Sequence, residues 1–310
     1  MTIAAYIKTI GRGHAGARPL ERAQAADLMA QVLDGQVTDL EVGAFCLSMR
    51  IKGETCGELM GFCDALQQRT LRVPSDAPVI VIPSYNGARR LPNLTPLLAL
   101  HLARRGARVL VHGPMRDPTR VTSAQMFEAL ALSPCDNAAA VQAAWHRGEP
   151  AFMDTSVLSP QLQRLLDVRW VVGLRNSGHT IAKLINPIDG ADALCLASHT
   201  HPEFGRLMGE FAEGTHASMM LLRGTEGEAV ADARRAPRME VWVRGHREEG
   251  LCHPAQEGPL TALPNLPTAI DAASVAPYIR SVLAGDAPLP LPLQVQADLL
   301  LQTLQRIKSA

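Results

Sequence analysis

The sequence contains no long apolar run, no excess of charge and few aromatic residues. No run reaches the roughly 18 apolar residues that a membrane span needs, and residues 1–19 lack the apolar centre and small-residue cleavage site of a secretory signal. We therefore expect a cytoplasmic protein that has no membrane partner. Aromatic residues make up 4% of the 310 residues, so the chain has little surface on which flat ligands stack.

Cysteine pairs are also missing, because the six cysteines form no Cys-x-x-Cys motif and sit mostly among apolar neighbours. Such cysteines are typical of buried free thiols in a reducing compartment. The 30 basic and 30 acidic residues cancel, so bulk charge gives no support to a nucleic-acid partner. The distribution is uneven, however, because residues 86–120 contain seven arginines and one acid, Asp117.

Residues 79–114 have the pattern of a strand, a loop, a helix and a second strand. The run Val79–Ile82 is β-branched, Thr95-Pro96 is a capping residue followed by proline, and Gly106 ends the helix before the second strand. A protein that binds phosphate normally places glycines after the first strand, because glycine lets backbone N–H groups crowd onto an anion. Residues 83–90, PSYNGARR, stand there instead.

Residues 1–72 look wholly helical and are predicted to form one domain. Thr38 with Glu41, and Thr55 with Glu58, have capping-box spacing, which indicates the start of two helices. The first of these helices is apolar or small over more of its surface than a helix with one solvated face requires. We expect this excess to pack on another helical layer, favouring a second copy of the chain; packing on the larger domain of the same chain is the alternative.

Residues 73–310 alternate short apolar strands with amphipathic segments, which is typical of an α/β domain with a mostly parallel sheet. The predicted strands are 79–82, 108–111, 151–153, 170–172, 193–197, 219–222 and 240–243. Helices are predicted to begin at Ser159-Pro160 and after His201-Pro202, and to cover 270–283 and 294–307 with a proline-rich break at 287–292.

Two polar clusters have more than one interpretation. His199, His201 and Glu203 carry metal-ligand donors, but they lie at a helix start, where polar groups cap backbone N–H groups, and we favour capping. Glu226 and Glu228 follow an apolar strand, where they either hold a metal or are solvated loop charges.

The arginines fall into two groups. Arg104 and Arg105 precede Gly106 at the negative end of a helix, where cations stabilise the fold. Arg89 and Arg90 lie in a loop after a strand, which is the place where open α/β sheets bind ligands. We therefore treat Arg89 and Arg90 as candidates for contact with an anion.

Several motifs resemble glycosyltransferase family 3, which includes anthranilate phosphoribosyltransferase. Residues 35–55, which end in Arg50-Ile51-Lys52-Gly53-Glu54-Thr55, resemble its N-terminal helical region, and His112-Gly113 and the segment from Val168 to Pro187 are similar to its later motifs. The resemblance covers nearly the whole chain. It implies a small helical dimerisation domain, 1–72, and a large α/β domain, 73–310.

The parts that carry catalysis in the family differ here. The family's Gly-Thr-Gly-Gly-Asp phosphate loop falls on residues 83–87, its lysine on Val111, and its magnesium-binding Asp-Glu pair on Ala229 and Val230. Arg169 lies where the enzymes hold the carboxylate of an aromatic acid. Because departure of diphosphate needs cations and backbone donors at the developing charge, we expect no catalytic residues, no metal and no cofactor.

One branch of the family, the YbiB type, is more similar still, since it shares Arg-Gly-Thr-Glu-Gly-Glu at 223–228 and Gly-Arg-Gly at 11–13. This resemblance implies a homodimer that binds nucleic acid with little sequence preference. We therefore predict a degenerate phosphoribosyltransferase fold that contacts the phosphates of single- or double-stranded DNA, or of RNA, without reading bases. The predicted contacts are Arg89, Arg90, Arg104, Arg105, Arg108, Arg116, Arg120, Arg169, Arg175 and Lys183, with Arg12 and Arg18 in the N-terminal segment as additional candidates.

A remnant ligand pocket is also predicted, at Ser84, Asn86, Gly87, Asn93, Thr95, His112 and Gly113. One alternative function is a glycosyl or phosphoribosyl transferase for an aromatic or carboxylate-bearing acceptor, with Arg169 on the carboxylate and Asn93 and His112 near the ribose. A second alternative is a protein-binding scaffold that uses the helical domain alone.

Overall fold

The computed structural model describes residues 3–258, 260 and 263–309, and these form two units. The first contains residues 3–71 and 158–187, and the second contains residues 72–157 and 188–309. The predicted boundary at residue 72 lies at the junction of the units. The segment 158–187 differs from the prediction, because its helices pack on the N-terminal helices and so belong to the helical unit rather than to the α/β unit.

Five of the described helices come before the first strand, and strands and helices are interspersed from residue 73 onward. The helices are α1 (Ile3–Ile10), α2 (Gly13–Gly16), α3 (Arg22–Leu33), α4 (Asp39–Lys52), α5 (Cys56–Gln67), α6 (Thr95–Arg104), α7 (Ser123–Ala129), α8 (Ala138–His146), α9 (Thr155–Leu158), α10 (Pro160–Val172), α11 (Ser177–Ile181), α12 (Pro202–Gly214), α13 (Ala272–Ala284) and α14 (Leu291–Ser309). The strands are β1 (Val73–Pro74), β2 (Val79–Pro83), β3 (Arg108–Gly113), β4 (Ala151–Asp154), β5 (Ile188–Asp189), β6 (Ala193–His199), β7 (Ser218–Arg223), β8 (Met239–Val243) and β9 (His246–Arg247). None of the described helices is both long and apolar enough to cross a lipid bilayer.

The helical unit begins its helices at the predicted capping boxes. The Thr38 hydroxyl accepts from the N–H of Glu41, and the Glu41 carboxylate accepts from the N–H of Thr38 at 2.9 Å. Thr55 and Glu58 repeat this exchange at the start of α5. Both capping-box predictions are confirmed, and each fixes the point at which a helix starts.

The α/β unit is organised around one sheet with the strand order β4-β3-β2-β6-β7-β8-β9 among the described residues. The strands from β4 to β7 run parallel, and β8 and β9 are antiparallel. All five residues of β2 are buried, as expected of a strand covered by helices on both faces. The mostly parallel α/β fold is therefore confirmed, and the ends of β2, β3, β6 and β7 bring their following loops to one edge, here called the carboxyl edge.

One predicted strand is wrong. Residues 170–172 form the last turn of α10, which starts after the N-cap Ser159 and ends at Gly173, a glycine in the left-handed conformation with φ +76°. The β-branched Val171 and Val172 suggested a strand, but the capping residues at the two ends of the segment specify a helix. Val171 is 89% exposed, so this apolar run is a surface of the helical unit and not a buried strand.

Two helix starts also differ from their predicted positions. Thr95 is the first residue of α6 rather than its cap, and its N–H donates to the Asn93 side-chain oxygen at 3.1 Å. Helix α14 starts at Leu291, so its first turn includes Pro292 from the predicted break. Proline is tolerated there because the first N–H groups of a helix have no partner within the helix.

Candidate functional site

The loop that follows β2 is buried at the carboxyl edge of the sheet. The Ser84 hydroxyl lies 2.7 Å from the Ser123 hydroxyl, and the Asn93 amide donates to the same Ser123 oxygen at 2.9 Å. Gly113, at the end of β3, packs directly on this loop, since a Cβ there would lie 1.9 Å from the Ser84 carbonyl oxygen. Only glycine allows the two backbones to approach this closely.

The carboxylate of Glu228 lies inside this loop. Its Oε1 accepts from the backbone N–H of Asn86 at 2.6 Å and from that of Gly87 at 2.5 Å. The Asn86 side chain in turn donates to the Gly227 carbonyl at 2.6 Å, and Ser198, from β6, donates to the same carbonyl at 2.6 Å. Glu228 is 2% exposed, so the chain has placed one of its own carboxyl oxygens on the backbone donors of the loop.

The carboxylate of Glu226 caps the next part of the same loop. It accepts from the backbone N–H groups of Arg89 at 2.7 Å, Arg90 at 3.0 Å and Leu91 at 3.3 Å. Burial opposes ionisation of Glu226, but these three hydrogen bonds, helped by the charge of Arg120, leave its pKa below the ordinary value. Glu226 holds this position with φ +52°, a strained conformation for a residue other than glycine.

The two carboxylates together occupy the site where the resemblance puts a phosphate loop. The backbone N–H groups of five loop residues point at glutamates of the same chain, as they would point at the oxygens of a bound phosphate; they are Asn86, Gly87, Arg89, Arg90 and Leu91. The interpretation of Glu226 and Glu228 as solvated charges is therefore wrong. Sequence alone gave only one hint of this role, which is the spacing of two acids after an apolar strand.

The structure does not fit a magnesium ion at the position that the resemblance indicates. Ala229 and Val230 stand where the family's acidic pair falls, and both are buried in the apolar core. Among the described residues, no group of three or more His, Cys, Asp or Glu side chains is arranged to hold a metal ion. His201 does not cap α12 through its side chain, so the capping role that we favoured for this cluster is not found at His201.

The seven residues of the predicted remnant pocket lie at the end of β3, in the loop after β2 and at the start of α6. All of them are buried, namely Ser84, Asn86, Gly87, Asn93, Thr95, His112 and Gly113. His112 accepts or donates a 2.9 Å hydrogen bond with the Tyr85 hydroxyl through Nδ1, and burial lowers the pKa of His112 to about 3. His112 is therefore uncharged at neutral pH, and it contributes packing rather than positive charge.

Three of the predicted phosphate contacts lie at the opposite edge of the sheet, where α6 ends and β3 begins. Arg104 donates to the Leu283 carbonyl, Arg105 pairs with Asp298, and Arg108 pairs with Asp76. These arginines stabilise the fold through partners within the α/β unit. The length of the strands separates these arginines from the carboxyl edge, since Arg108 is the first residue of β3 and the carboxyl edge lies where β3 ends.

The other predicted arginines of the α/β unit belong to the carboxyl edge. Arg116 pairs with Glu128 at 2.7 Å on the surface. Arg89, Arg90 and Arg120 have no ion-pair partner among the residues that the structure describes, and Arg89 and Arg90 are exposed. The loop thus directs its backbone donors at internal carboxylates and leaves the Arg89 and Arg90 guanidinium groups in solvent.

The helical unit carries the remaining predicted cations near the end of α10. The Cζ atom of Arg169 lies 4.0 Å from the centroid of the Trp170 ring. At this distance the face of the ring attracts the guanidinium charge. Burial, with the charges of Arg175, Arg169 and Lys183, lowers the pKa of His179 to about 3. The three cations therefore share one neighbourhood within this unit, around a histidine that remains neutral.

Comparison with known proteins places this architecture in a family. Residues 4–70 match the glycosyl transferase family helical bundle domain. The chain is 40% identical over 293 residues to a protein named YbiB from Escherichia coli, covering 94% of this chain and 90% of that protein. The chain therefore belongs to glycosyltransferase family 3, in the group that includes YbiB.

More distant similarities connect the chain with anthranilate phosphoribosyltransferases. The Methanopyrus kandleri enzyme is 28% identical over 170 residues, about half of each protein, at 54% of this chain and 50% of the enzyme. The anthranilate phosphoribosyltransferase structure from Thermus thermophilus superposes with a TM-score of 0.68 at 20% identity, covering 98% of both chains. The Saccharomyces cerevisiae enzyme in complex with PRPP and Mg gives a TM-score of 0.72 at 12% identity, covering 98% of this chain and 89% of that chain. These two structures show that the fold is shared.

Proposed function

We propose that this protein binds nucleic acid through its phosphate groups, without reading bases. The observation that carries the proposal is the loop after β2, in which Glu226 and Glu228 occupy the backbone donors while Arg89 and Arg90 extend into solvent. A small diphosphate has no free backbone donors to bind there. Exposed guanidinium groups on flexible stems suit the phosphates of a polymer instead, because such contacts need charge and reach rather than a closed cradle.

The proposal includes a homodimer formed through the helical unit. Helix α4 exposes Leu40, Leu47 and Ile51, with 83%, 46% and 59% of each residue accessible. Spacings of seven and four residues put these side chains on one face of the helix. A second copy of the same helical face would bury them, and the resulting dimer would double the number of phosphate contacts on one nucleic acid.

The competing function is transfer of a glycosyl or phosphoribosyl group to an aromatic or carboxylate-bearing acceptor. The named relatives favour it, as does the presence of Asn93, which the resemblance places near the ribose. The closed loop argues against it, because a diphosphate would have to displace two carboxylates that already hold the backbone donors. Removal of those hydrogen bonds from buried groups costs free energy that the ligand would have to supply.

Salt-dependent binding to a labelled duplex and to labelled single strands tests the proposed function. We expect log K to fall linearly with log salt, by about 0.9 per phosphate neutralised on a duplex. In an Arg89→Ala/Arg90→Ala variant the slope should fall by about 1.8 on every sequence alike. The matched control is Arg105→Ala/Arg147→Ala, which removes two ion-paired arginines elsewhere and should keep the wild-type slope.

Two outcomes would overturn the proposal. Absence of binding by the wild-type protein, or binding that does not respond to salt, would remove its electrostatic basis. Magnesium-dependent tight binding of phosphoribosyl diphosphate that is lost in Asn93→Ala would favour the transferase instead, since Asn93 lies in the buried network beside the loop.

A further inference from the structure

A groove in the α/β unit is lined by one face of helix α12. It has a volume of about 910 Å³ and lies between this helix, the ends of β6 and β7, and the segment 232–240. Its lining residues on α12 alternate spacings of three and one, which places them on a single helical face; they are Pro202, Gly205, Arg206, Gly209, Glu210 and Glu213. A Cβ at Gly209 would lie 3.1 Å from the Trp242 ring, so glycine lets the helix pack closely on the sheet. The groove is therefore a formed concavity with packed walls.

Six arginines line the groove, and three of them are neutralised by partners within the unit. Arg234 pairs with Asp232 at 2.7 Å. Both Arg238 and Arg247 pair with Glu240, at 3.0 and 2.9 Å. The arginines that pair with no carboxylate in the described part of the chain are Arg206, Arg223 and Arg235. All three are exposed, so their guanidinium groups are available to a ligand.

The three unpaired guanidinium groups come from three different elements. Arg206 belongs to α12, and Arg223 is the last residue of β7, at the carboxyl edge where open α/β sheets bind ligands. Arg235 donates to the carbonyls of Gln256 and Gly258 at 3.1 and 2.9 Å. These bonds orient the Arg235 guanidinium without neutralising it, and a group that is oriented beforehand loses less conformational freedom on binding.

The groove also carries negative charge and apolar surface. Glu213 accepts a 3.3 Å hydrogen bond from the Trp242 indole, and Glu210 pairs with no cation among the residues that the structure describes. The other acids along the groove are engaged within the unit, namely Glu226, Asp232 and Glu240. Apolar side chains complete the walls, and they include Leu91, Pro202, Ala236, Pro237 and Ala255.

This mixture of charges does not suit the backbone of a nucleic acid. A polynucleotide carries a negative phosphate at every nucleotide, so a strand in the groove would bring phosphates close to Glu210 and Glu213, where like charges repel. Trp242 is 4% exposed, so its ring is not available as a stacking platform for a base. A polypeptide, in contrast, places charge only at particular side chains, and its backbone N–H groups can donate to carboxylates.

We propose that this groove binds a short acidic segment of a partner protein, whose aspartate or glutamate side chains pair with Arg206, Arg223 and Arg235. The segment is extended, because only N–H groups outside a helix are free to donate to Glu210. Its apolar residues pack on the proline and alanine walls. The site uses other side chains than the Arg89 and Arg90 contact, so it does not depend on the proposed binding of nucleic acid.

The arginines and the size of the groove both fit a peptide. Arginine is enriched among the residues that dominate the binding energy of protein interfaces. Its planar guanidinium pairs with a carboxylate through two parallel hydrogen bonds, while its stem covers apolar surface. The volume of about 910 Å³ lies near the upper end of the range for small-ligand sites, which leaves room for several residues of an extended chain.

Fluorescence anisotropy with the peptide fluorescein-Asp-Leu-Glu-Asp-Leu-Glu-amide tests the proposal. We expect the wild-type protein to bind this peptide and not a peptide in which lysine replaces every acidic residue. Arg206→Ala/Arg223→Ala should weaken binding of the acidic peptide by roughly tenfold, through the loss of two partly exposed ion pairs. Arg206→Lys/Arg223→Lys keeps the charge but not the paired hydrogen bonds, so its loss should be smaller.

The matched control is Arg105→Ala/Arg147→Ala, which removes two ion-paired arginines elsewhere and should keep the wild-type affinity for the peptide. Thermal unfolding shows whether each variant is folded. Equal affinities of the folded Arg206→Ala/Arg223→Ala variant and this control would overturn the proposal. So would a wild-type protein that does not bind the acidic peptide, or that binds the lysine peptide equally well.

Two further measurements exclude other occupants of the groove. We expect an unlabelled single-stranded oligonucleotide to leave the peptide bound. Displacement of the peptide, together with weaker oligonucleotide binding by Arg206→Ala/Arg223→Ala, would assign the groove to nucleic acid and overturn the proposal. A wild-type dimer that becomes monomeric in this variant, measured by sedimentation equilibrium, would assign the groove to a second copy of the chain and overturn it as well. The test of Arg89 and Arg90 uses other variants, so either proposal can fail while the other stands.

Discussion

The carboxylate of Glu228 accepts a 2.5 Å hydrogen bond from the backbone N–H of Gly87, and both residues are buried. The two positions are 141 residues apart in the chain. Gly87 has φ +68°, and a Cβ there would lie 2.7 Å from the Val121 carbonyl oxygen. The loop thus needs glycine at this point to aim its N–H at the glutamate.

Replacement of Glu228 by alanine should destabilise the α/β unit. The change leaves the N–H groups of Asn86 and Gly87 buried without an acceptor, and each such group costs about 1–3 kcal/mol. We expect the free energy of unfolding, measured in urea, to fall by roughly 2–6 kcal/mol. Glu257→Ala, at an exposed position, is the control and should change it little; equal stabilities of the two variants would contradict the role of Glu228.

Removal of both loop carboxylates should create an anion site. Glu226→Ala/Glu228→Ala removes the acceptors of five loop N–H groups, those of Asn86, Gly87, Arg89, Arg90 and Leu91. Backbone donors of this kind bind phosphate oxygens. We expect pyrophosphate to raise the melting temperature of this variant and not that of the wild-type protein. At a hundredfold excess of pyrophosphate over its Kd, binding stabilises the folded variant by up to about 2.7 kcal/mol. A folded double variant that shows no response to pyrophosphate would mean that the loop does not hold its shape without the glutamates.

Local signals in the sequence were sufficient for most of the fold. Thr38 and Thr55 mark the starts of their helices, because each forms a capping box with the glutamate three residues further on. The buried strand β2 is recognisable because all its residues are apolar. The prediction at 170–172 is wrong because the β-branched Val171 and Val172 favour a strand locally, whereas the capping residues Ser159 and Gly173 specify a helix. Local pattern therefore predicts an element well when its end signals are read together with its composition.

The candidate site was less predictable, because its hydrogen bonds join distant parts of the chain. Nothing near Glu228 indicates that its partners are the N–H groups of Asn86 and Gly87. The positions of the arginines were equally hidden, since Arg104 and Arg90 are close in sequence yet α6 carries them to opposite edges of the sheet. Residue type identified candidates for phosphate contact, and topology decided which of them lie together.

Acid should destabilise the protein partly through His112. Burial lowers the pKa of His112 to about 3 in the folded state, whereas an unfolded histidine titrates near 6.5. In the unfolded chain His112 therefore takes up a proton below about pH 6.5. In the folded chain it takes up this proton only near pH 3. The stability contributed by neutral His112 is present above pH 6.5 and is lost as the pH falls.

Unfolding free energies measured in urea from pH 7 to pH 4 check this expectation. The His112→Gln variant lacks the titrating group and should lose stability less steeply, by up to about 1.4 kcal/mol per pH unit. His146→Gln, at an exposed position, is the control and should follow the wild-type curve. Parallel curves for wild-type and His112→Gln would show that His112 takes up its proton at the same pH in the folded and unfolded states.

The exposed face of α4 makes the proposed dimer testable. Leu47→Glu/Ile51→Glu places two like charges on the face that a second copy would bury, and burial of unpaired charge is costly. We expect sedimentation equilibrium to give a dimer for the wild-type protein and a monomer for this variant. Leu263→Glu changes a 65% exposed leucine of the α/β unit and should leave the dimer intact. A monomeric wild-type protein, or a double variant that remains dimeric, would show that α4 does not form the interface.

Because the proposed dimer presents two sets of phosphate contacts, the monomeric variant should also bind a long nucleic acid with a smaller salt slope, whereas the Leu263→Glu control keeps the full value.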